Sequence, residues 1–428
     1  MVAYEDKFAT FQDKTLYLRL APEDQQTVRG LAFRYRLTFQ EFREVVEASR
    51  DLRMWGEPPL QDWLQEQLRS GRITTATGKQ PFLRLLREHM RDLRSQPRRY
   101  APVPPEARPK HEKKSVVVAQ SDKKIHGMCP VASEQYVCCN LRTIDAVENC
   151  VFGCSYCTIQ TFYAQQFVFD VDFADKLRRI EVDPTRRVHF CTGQSSDSLA
   201  WGNRHGILDA LCQFAAEHPN VLLEFKTKSD NVRYFLETEP PPNIVCSWSL
   251  NPDIVIQNEE HFTASLERRL QAARAVADRG IKVSFHFHPM VYFEGWEVAY
   301  ADIAHTLLQH FDAGEILFIS FGSMTFIKPV IRKIRERGFP TRVHQMELQP
   351  DPHGKLTYPD ELKIRMFRTQ YRNFAPWHGK VFFYLCMEKR AIWEPSLGYV
   401  FPNNEAFEQA LLDAAFAKIE RRERVDAV

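Results

Sequence analysis

Along the chain the spacing of apolar positions changes character twice. Residues 22–93 carry them at helical spacing. "APEDQQTVRGLAFRYRL" opens on an acidic turn, and "TFQEFREVVEASRDLRMW" places Thr38 three residues before Glu41, the arrangement of a capping box. Two short helices so close together are compatible with a helix-turn-helix, although such pairs more often pack on other elements. Residues 94–124 then lose all periodicity, with five prolines and nine Lys/Arg against three Asp/Glu. The prolines predict a segment without regular structure. It reads either as a solvated linker or as a basic arm that tracks a phosphate backbone through Arg98, Arg99, Lys113 and Lys114.

From residue 136 onward, β-branched apolar runs alternate with helical patterns. The runs are "YVCCNLRTI", "RVHFCTG", "VLLEFKTK", "NIVCSWSL", "KVSFHFHPMVYF" and "EILFISFG". Such alternation predicts an α/β fold whose parallel sheet is covered by helices, with functional groups at the C-terminal ends of the strands. Six units predict a partial, TIM-like (βα)6 barrel rather than a closed eight-fold one. The expected organisation is an N-terminal helical region (1–93), a basic Pro-rich linker (94–124), the barrel (125–335) and a C-terminal α/β extension (336–428). That extension holds "DELKIRMFRTQYRNF", a strand in "KVFFYLCME" and a last helix from about 404.

Composition narrows the class. A chain of 428 residues predicts one large domain and a smaller one. The net charge of +2 argues for no acidic partner by itself, so a basic footprint has to be local. No apolar run approaches the roughly 20 residues of a membrane span, and "MVAYEDKFATFQDK" lacks the features of a secretory signal. Ten cysteines in such a chain predict a cytoplasmic protein whose clustered thiols hold metal rather than disulfides.

Three of those cysteines, Cys150, Cys154 and Cys157, form a C-x3-C-x2-C pattern just past the first predicted barrel strand. A structural zinc site normally takes four ligands in two spaced pairs. Three thiolates can instead hold three irons of a [4Fe–4S] cluster and leave the fourth open to a ligand. Cys138 and Cys139 are expected in a strand, facing opposite ways, so both cannot join that cluster.

This spacing in a βα barrel resembles the radical S-adenosylmethionine (SAM) superfamily. In order along the chain, "SYCTIQT", "TGQSSDSLAW", "FKTK", "WSLNPDIVI" and "HPMVYFEGWEVAYADI" narrow the resemblance to the spore photoproduct lyase family, which splits thymine dimers in DNA. It covers roughly residues 136–335. The resemblance implies Cys150, Cys154 and Cys157 as ligands of a [4Fe–4S] cluster, SAM as cofactor, and Ser196, Lys228 and Ser249 as SAM-binding residues. A lysine ammonium and hydroxyls at strand ends suit the carboxylate and ribose of SAM. It also implies a nucleic-acid substrate and a flavodoxin- or ferredoxin-like reductant, with no membrane. Asp197 either orients these groups or caps the helix that follows, capping being the expected role.

Two positions depart from the family pattern. Tyr156 precedes the third cysteine, as in the lyases, where tyrosines on both sides relay the radical, but Thr158 follows it. Where the lyases carry a hydrogen-donating cysteine, Gln194 aligns without gaps. Cys191 is then either a displaced donor or a small buried hydrophobe. On strand five, His286 and His288 are expected on one face, while Tyr292, Phe293 and Trp296 either stack on a flipped base or adenine or pack under the loop. Two alternatives stand beside the lyase-like reading: a radical SAM enzyme with a non-DNA substrate, and a nucleic-acid-binding protein whose thiols hold zinc or a redox-sensing cluster.

Overall fold

All six β-rich runs contribute strands, and a seventh run joins them in one sheet. Numbered in chain order, the strands are β1 (His126–Met128), β2 (Arg142–Ile144), β3 (Val188–Thr192), β4 (Val221–Thr227), β5 (Ile244–Ser249), β6 (Lys282–Met290), β7 (Ile316–Ser323) and β8 (Phe382–Leu385). Their spatial order follows the chain order. Strands β2 to β8 run parallel, and β1 closes one edge antiparallel to β2. The computed structural model describes residues 4–104, 106, 109, 114–129, 135–162 and 166–426. Among these, no helix is long and apolar enough to cross a membrane.

The sheet is buried on both faces, which is why its strands read as nearly continuous apolar runs. Phe190 and Phe225 point outward onto the crossover helices, against Phe214 and Phe235. The opposite face is concave. The ring of His189 on β3 lies 5.8 Å from Phe318 on β7, although three strands separate them. A flat sheet would hold them roughly 19 Å apart at about 4.8 Å per strand. The sheet is therefore curled into a partial barrel.

A directed polar chain lies inside the curl. Glu224 on β4 is flanked by His189 Nε2 at 2.9 Å and His286 Nε2 at 2.5 Å, and it accepts from the Ser247 hydroxyl. Ser320 Oγ lies 2.6 Å from His286 Nδ1 and 2.8 Å from His288 Nε2, and Lys226 Nζ lies 3.3 Å from His288 Nδ1. One assignment accounts for these four links: Lys226 donates to His288, His288 to Ser320, Ser320 to His286, and His286 to the Glu224 carboxylate, whereas the His189 ring nitrogens make no aligned hydrogen bond among the described residues. His286 and His288 are both neutral in this assignment. Burial pushes His286 down to about 4 and His288 well below its usual value. Burial alone would raise Glu224, but His286 and His189 hold it well below the carboxylate range.

Several expectations are corrected. The parallel strands number seven rather than six, because Phe382–Leu385, assigned to a separate extension, pairs with β7. Cys138 and Cys139 do not lie in a strand. The strand Tyr136–Val137 stops before them, and β2 begins after them. The Pro-rich stretch is not without regular structure: Ser115–Ala119 pairs in parallel with Gln166–Asp170. The chain forms two compact units, Met1–Ala101 with Phe326–Leu356 and Pro102–Thr325 with Thr357–Val428. In the first unit, five helices between Tyr4 and Ser95 include the Thr38–Glu41 capping box. There Arg335 pairs with buried Asp51 at 2.7 Å, and Arg98 is buried with its guanidinium donating to Val343 O at 3.0 Å. Arg98 is thus a core residue rather than part of a phosphate-tracking arm, and Lys113 lies outside the described residues.

The depressed histidines set a pH dependence. An unfolded chain takes up protons near pH 6.5, whereas buried His286 resists protonation down to about 4. Between these limits unfolding binds protons, so stability falls as pH falls, by at most about 1.4 kcal/mol per pH unit from this group. Urea unfolding at pH 7, 6 and 5 measures the slope. His286→Gln flattens it.

Candidate active site at the mouth of the sheet

The loop after β2 carries Cys150, Cys154 and Cys157, and it is held from beneath by one short segment. Gly153 N donates to His261 O at 2.9 Å, Ser155 N to Glu259 O at 2.8 Å, and the Tyr156 hydroxyl to the Glu260 carboxylate. Glu260 also accepts from Asn251 Nδ2 at 2.7 Å and Arg269 Nη2 at 2.6 Å. Arg269 comes from the helix Leu266–Asp278 and spends its remaining donors on Ala264 O, Thr263 Oγ1 and Ser249 O. Arg269 and Glu260 are fully buried. Burial alone would raise the Glu260 carboxyl, but the Arg269 guanidinium beside it keeps it below the usual range. A buried pair is tolerable only when its remaining lone pairs and protons are satisfied, and here they are.

The second wall is the turn after β3. Gly193, at φ +89°, allows the chain to turn there; a Cβ would sit 2.8 Å from Lys226 O and 2.6 Å from Ser198 Oγ. Asp197 accepts from Leu199 N (3.1 Å), Ala200 N (2.9 Å), Thr227 Oγ1 (2.7 Å) and Lys228 N (2.7 Å). It therefore does more than cap its own turn: it ties that turn to the end of β4. Ser196 stands next to it, and its buried hydroxyl has no hydrogen-bond partner among the described residues. The Lys228 ammonium lies 5.8 Å from the Tyr156 ring centre. Ser249, the last residue of β5, is buried, and its carbonyl is held by Arg269 at 2.8 Å.

The structure thus gathers Cys150, Cys154, Cys157, Tyr156, Ser196, Lys228 and Ser249 at one end of the parallel strands. The three thiols are close enough to act on one another electrostatically. Burial, the Asp197 carboxylate and the other two thiols push Cys150 well up, and burial pushes Cys154 up to about 12 while Lys228 pulls against it. Without metal the Cys150 and Cys154 thiols are neutral, and iron has to displace their protons. Three soft donors on one loop, with a neighbouring ammonium and an unsatisfied hydroxyl, fit a thiolate-held cluster that leaves one iron for a polar ligand.

Cys191 lies elsewhere, inside the curl on β3, in register between Thr143 and Glu224. Its thiol donates to Thr192 O at 3.1 Å, and burial with the Glu224 charge keeps it protonated. Phe293 and Trp296 are buried and serve as packing, with no face left for a base, whereas Tyr292 is half-buried. Sequence reasoning missed Glu260, Arg269 and Asn251. One signal was available: Arg269 falls on the buried face of its helix with Ala272, Ala273 and Val276, where a charge requires a partner.

Removing one member of the buried pair leaves the other charged and dry. Arg269→Ala is expected to destabilise the protein by about 3–5 kcal/mol and to lower the iron retained after anaerobic reconstitution. Denaturant unfolding and iron analysis check this. Arg269→Met with Glu260→Gln should recover much of the stability, because no buried charge is then left without a partner.

The spore photoproduct lyase family model matches residues 139–354, just over half of the chain. The spore photoproduct lyase of a Geobacillus species is 27% identical over 202 residues, covering 45% of this chain and 59% of that protein. That of Bacillus subtilis is 29% identical over 173 residues, covering 38% and 50%. The matched region therefore spans about half to three fifths of these curated relatives. A solved spore photoproduct lyase complexed with dinucleoside spore photoproduct superposes with a TM-score of 0.54 at 22% identity, covering 63% of this chain and 82% of that one. A mutant with bound AdoMet and dinucleoside spore photoproduct gives 0.52 at 22% identity, covering 63% and 81%. These structural likenesses carry the fold, and the family match carries the kinship: the chain belongs to the spore photoproduct lyase family.

Proposed function

We propose that this protein is a radical SAM enzyme of the lyase type that acts on a photoproduct in DNA. The observation that carries the reading is the loop of Cys150, Cys154 and Cys157, held at the strand ends beside Lys228 and the unsatisfied Ser196 hydroxyl. Cys150, Cys154 and Cys157 would hold a [4Fe–4S] cluster with one iron left open to SAM, and that group would supply the electron for reductive cleavage of the sulfonium. A flavodoxin- or ferredoxin-like protein would feed that electron.

The remaining roles belong to the chain's own side chains. Lys228 pairs with the carboxylate of SAM, and Ser196 and Ser249 orient its polar groups. Tyr156 keeps its proton, since burial and the Glu260 carboxylate hold the phenol well above its usual pKa. The relay of a hydrogen atom is the role assigned to it by its match to the family's tyrosine, and its hydroxyl also anchors the loop on Glu260. Cys191 keeps its S–H bond and is the candidate donor of a hydrogen atom to the product. The substrate class rests on family membership and on the relative whose structure holds AdoMet and dinucleoside spore photoproduct. Thr158 and Gln194, which stand where the lyases use a tyrosine and a cysteine, favour a second reading: the same radical delivered to a peptide or small metabolite.

Reconstituted protein with dithionite and SAM should release 5′-deoxyadenosine, and Cys154→Ala should abolish it. Repair of an oligonucleotide carrying the thymine dimer separates the first reading from the second. No 5′-deoxyadenosine from iron-replete protein would overturn both. Lys228→Met should weaken SAM binding about ten- to hundred-fold, the effect of losing a charged hydrogen bond of roughly 1.5–3 kcal/mol. Equilibrium dialysis with labelled SAM measures it.

A further inference from the structure

Four more thiols meet where the two edges of the curled sheet approach each other. Cys129 follows β1, the strand at one edge, and its amide donates to Leu141 O at 2.9 Å, two residues from Cys139. Cys386 follows β8, the strand at the other edge, and its amide donates to Phe321 O at 2.8 Å. A small antiparallel ladder joins the two sides: Val137 pairs with Glu388 and Tyr136 with Lys389. This ladder brings the Cys138–Cys139 pair alongside Cys386.

The approach is tight. A Cβ on Gly322, at the end of β7, would meet His288 at 3.0 Å and Cys386 O at 3.4 Å. The Cys138 amide is fixed by Asn404 Oδ1 at 2.8 Å, and Asn140 turns the chain at φ 50° into β2. None of these cysteines is in a disulfide. The Cys139 thiol, buried and hydrogen-bonded with Cys138, also lies within electrostatic reach of Cys386 and Cys129, so the four side chains share one neighbourhood. Lys226 supplies a cation beside Cys386.

We propose that Cys129, Cys138, Cys139 and Cys386 hold a second metal centre, an iron–sulfur cluster that fastens the two edges of the partial barrel. Four thiols from three chain segments are the donor set such clusters take, and cysteines so gathered serve metals better than they serve packing. Among the described residues, no three donors here or at Cys150, Cys154 and Cys157 are set to hold a single metal ion. A cluster has no such requirement, because each thiolate binds its own iron. The centre is separate from the SAM site and does not depend on the proposed reaction.

Iron and acid-labile sulfide per chain, after anaerobic reconstitution, test the proposal. The parent protein should hold about eight irons if both clusters are of the four-iron type. Cys139→Ser/Cys386→Ser should halve that number. Cys150→Ala/Cys154→Ala/Cys157→Ala should likewise keep about half of the iron, together with the visible absorption of a thiolate-bound cluster, while losing SAM cleavage. A colourless, iron-free triple variant would overturn the proposal. So would a parent with only about four irons that Cys139→Ser/Cys386→Ser leaves unchanged, or stoichiometric zinc in place of iron in the triple variant. Loss of SAM cleavage in the parent with iron content intact would instead count only against the proposed function.

Discussion

One buried ion pair underlies the geometry of the three-cysteine loop and the strand ends beside it. Arg269 and Glu260 are both removed from water, a cost that only close pairing and full hydrogen bonding can offset. The partners that satisfy them are the parts of the site itself. Glu260 takes Tyr156 from the cysteine loop and Asn251 from the end of β5, and Arg269 takes the carbonyl of Ser249. Asn251 passes the connection on through Tyr300, whose hydroxyl reaches Val291 N after β6. The cysteine loop and the candidate SAM wall are therefore positioned by the same charge, and Tyr156 cannot move without exposing it.

A second constraint comes from the curl. Bending a parallel sheet turns one face of each strand into a confined interior, where an unpaired polar group would be costly. The chain from Lys226 through His288, Ser320 and His286 to Glu224 meets that demand with a single consistent direction of donation. Lys226 lies on the inner face of β4 and Lys228 just past its end, so the polar interior runs up to the turn held by Asp197. Cys191 sits within this interior, in register with Glu224 and protonated.

Much of this was legible in the chain, for definable reasons. β3 to β7 announced themselves because strands buried on both faces must be apolar throughout, and the three-cysteine motif because its ligands are local. β8 was legible as a strand, but its place beside β7 was hidden because residues 326–356, which belong to the other unit, separate the two in sequence. Cys138 and Cys139 read as strand residues because their neighbours are β-branched; the fold ends the strand at Val137 to reach Glu388. The Glu260 hub was out of reach for a different reason. It joins residues about a hundred positions apart, and only the lone arginine on an apolar helix face hinted at it. Arg98 misled in the opposite direction, since a basic residue in a proline-rich stretch gives no sign of being buried.

The central claim is that the loop of Cys150, Cys154 and Cys157 presents one iron to SAM. The direct measurement is pulsed EPR on the reduced, reconstituted protein with SAM labelled by nitrogen-15 at its amino group. The account predicts a nitrogen hyperfine coupling at the cluster, lost in Cys154→Ala. A reduced cluster whose spectrum does not change when SAM is added would contradict it.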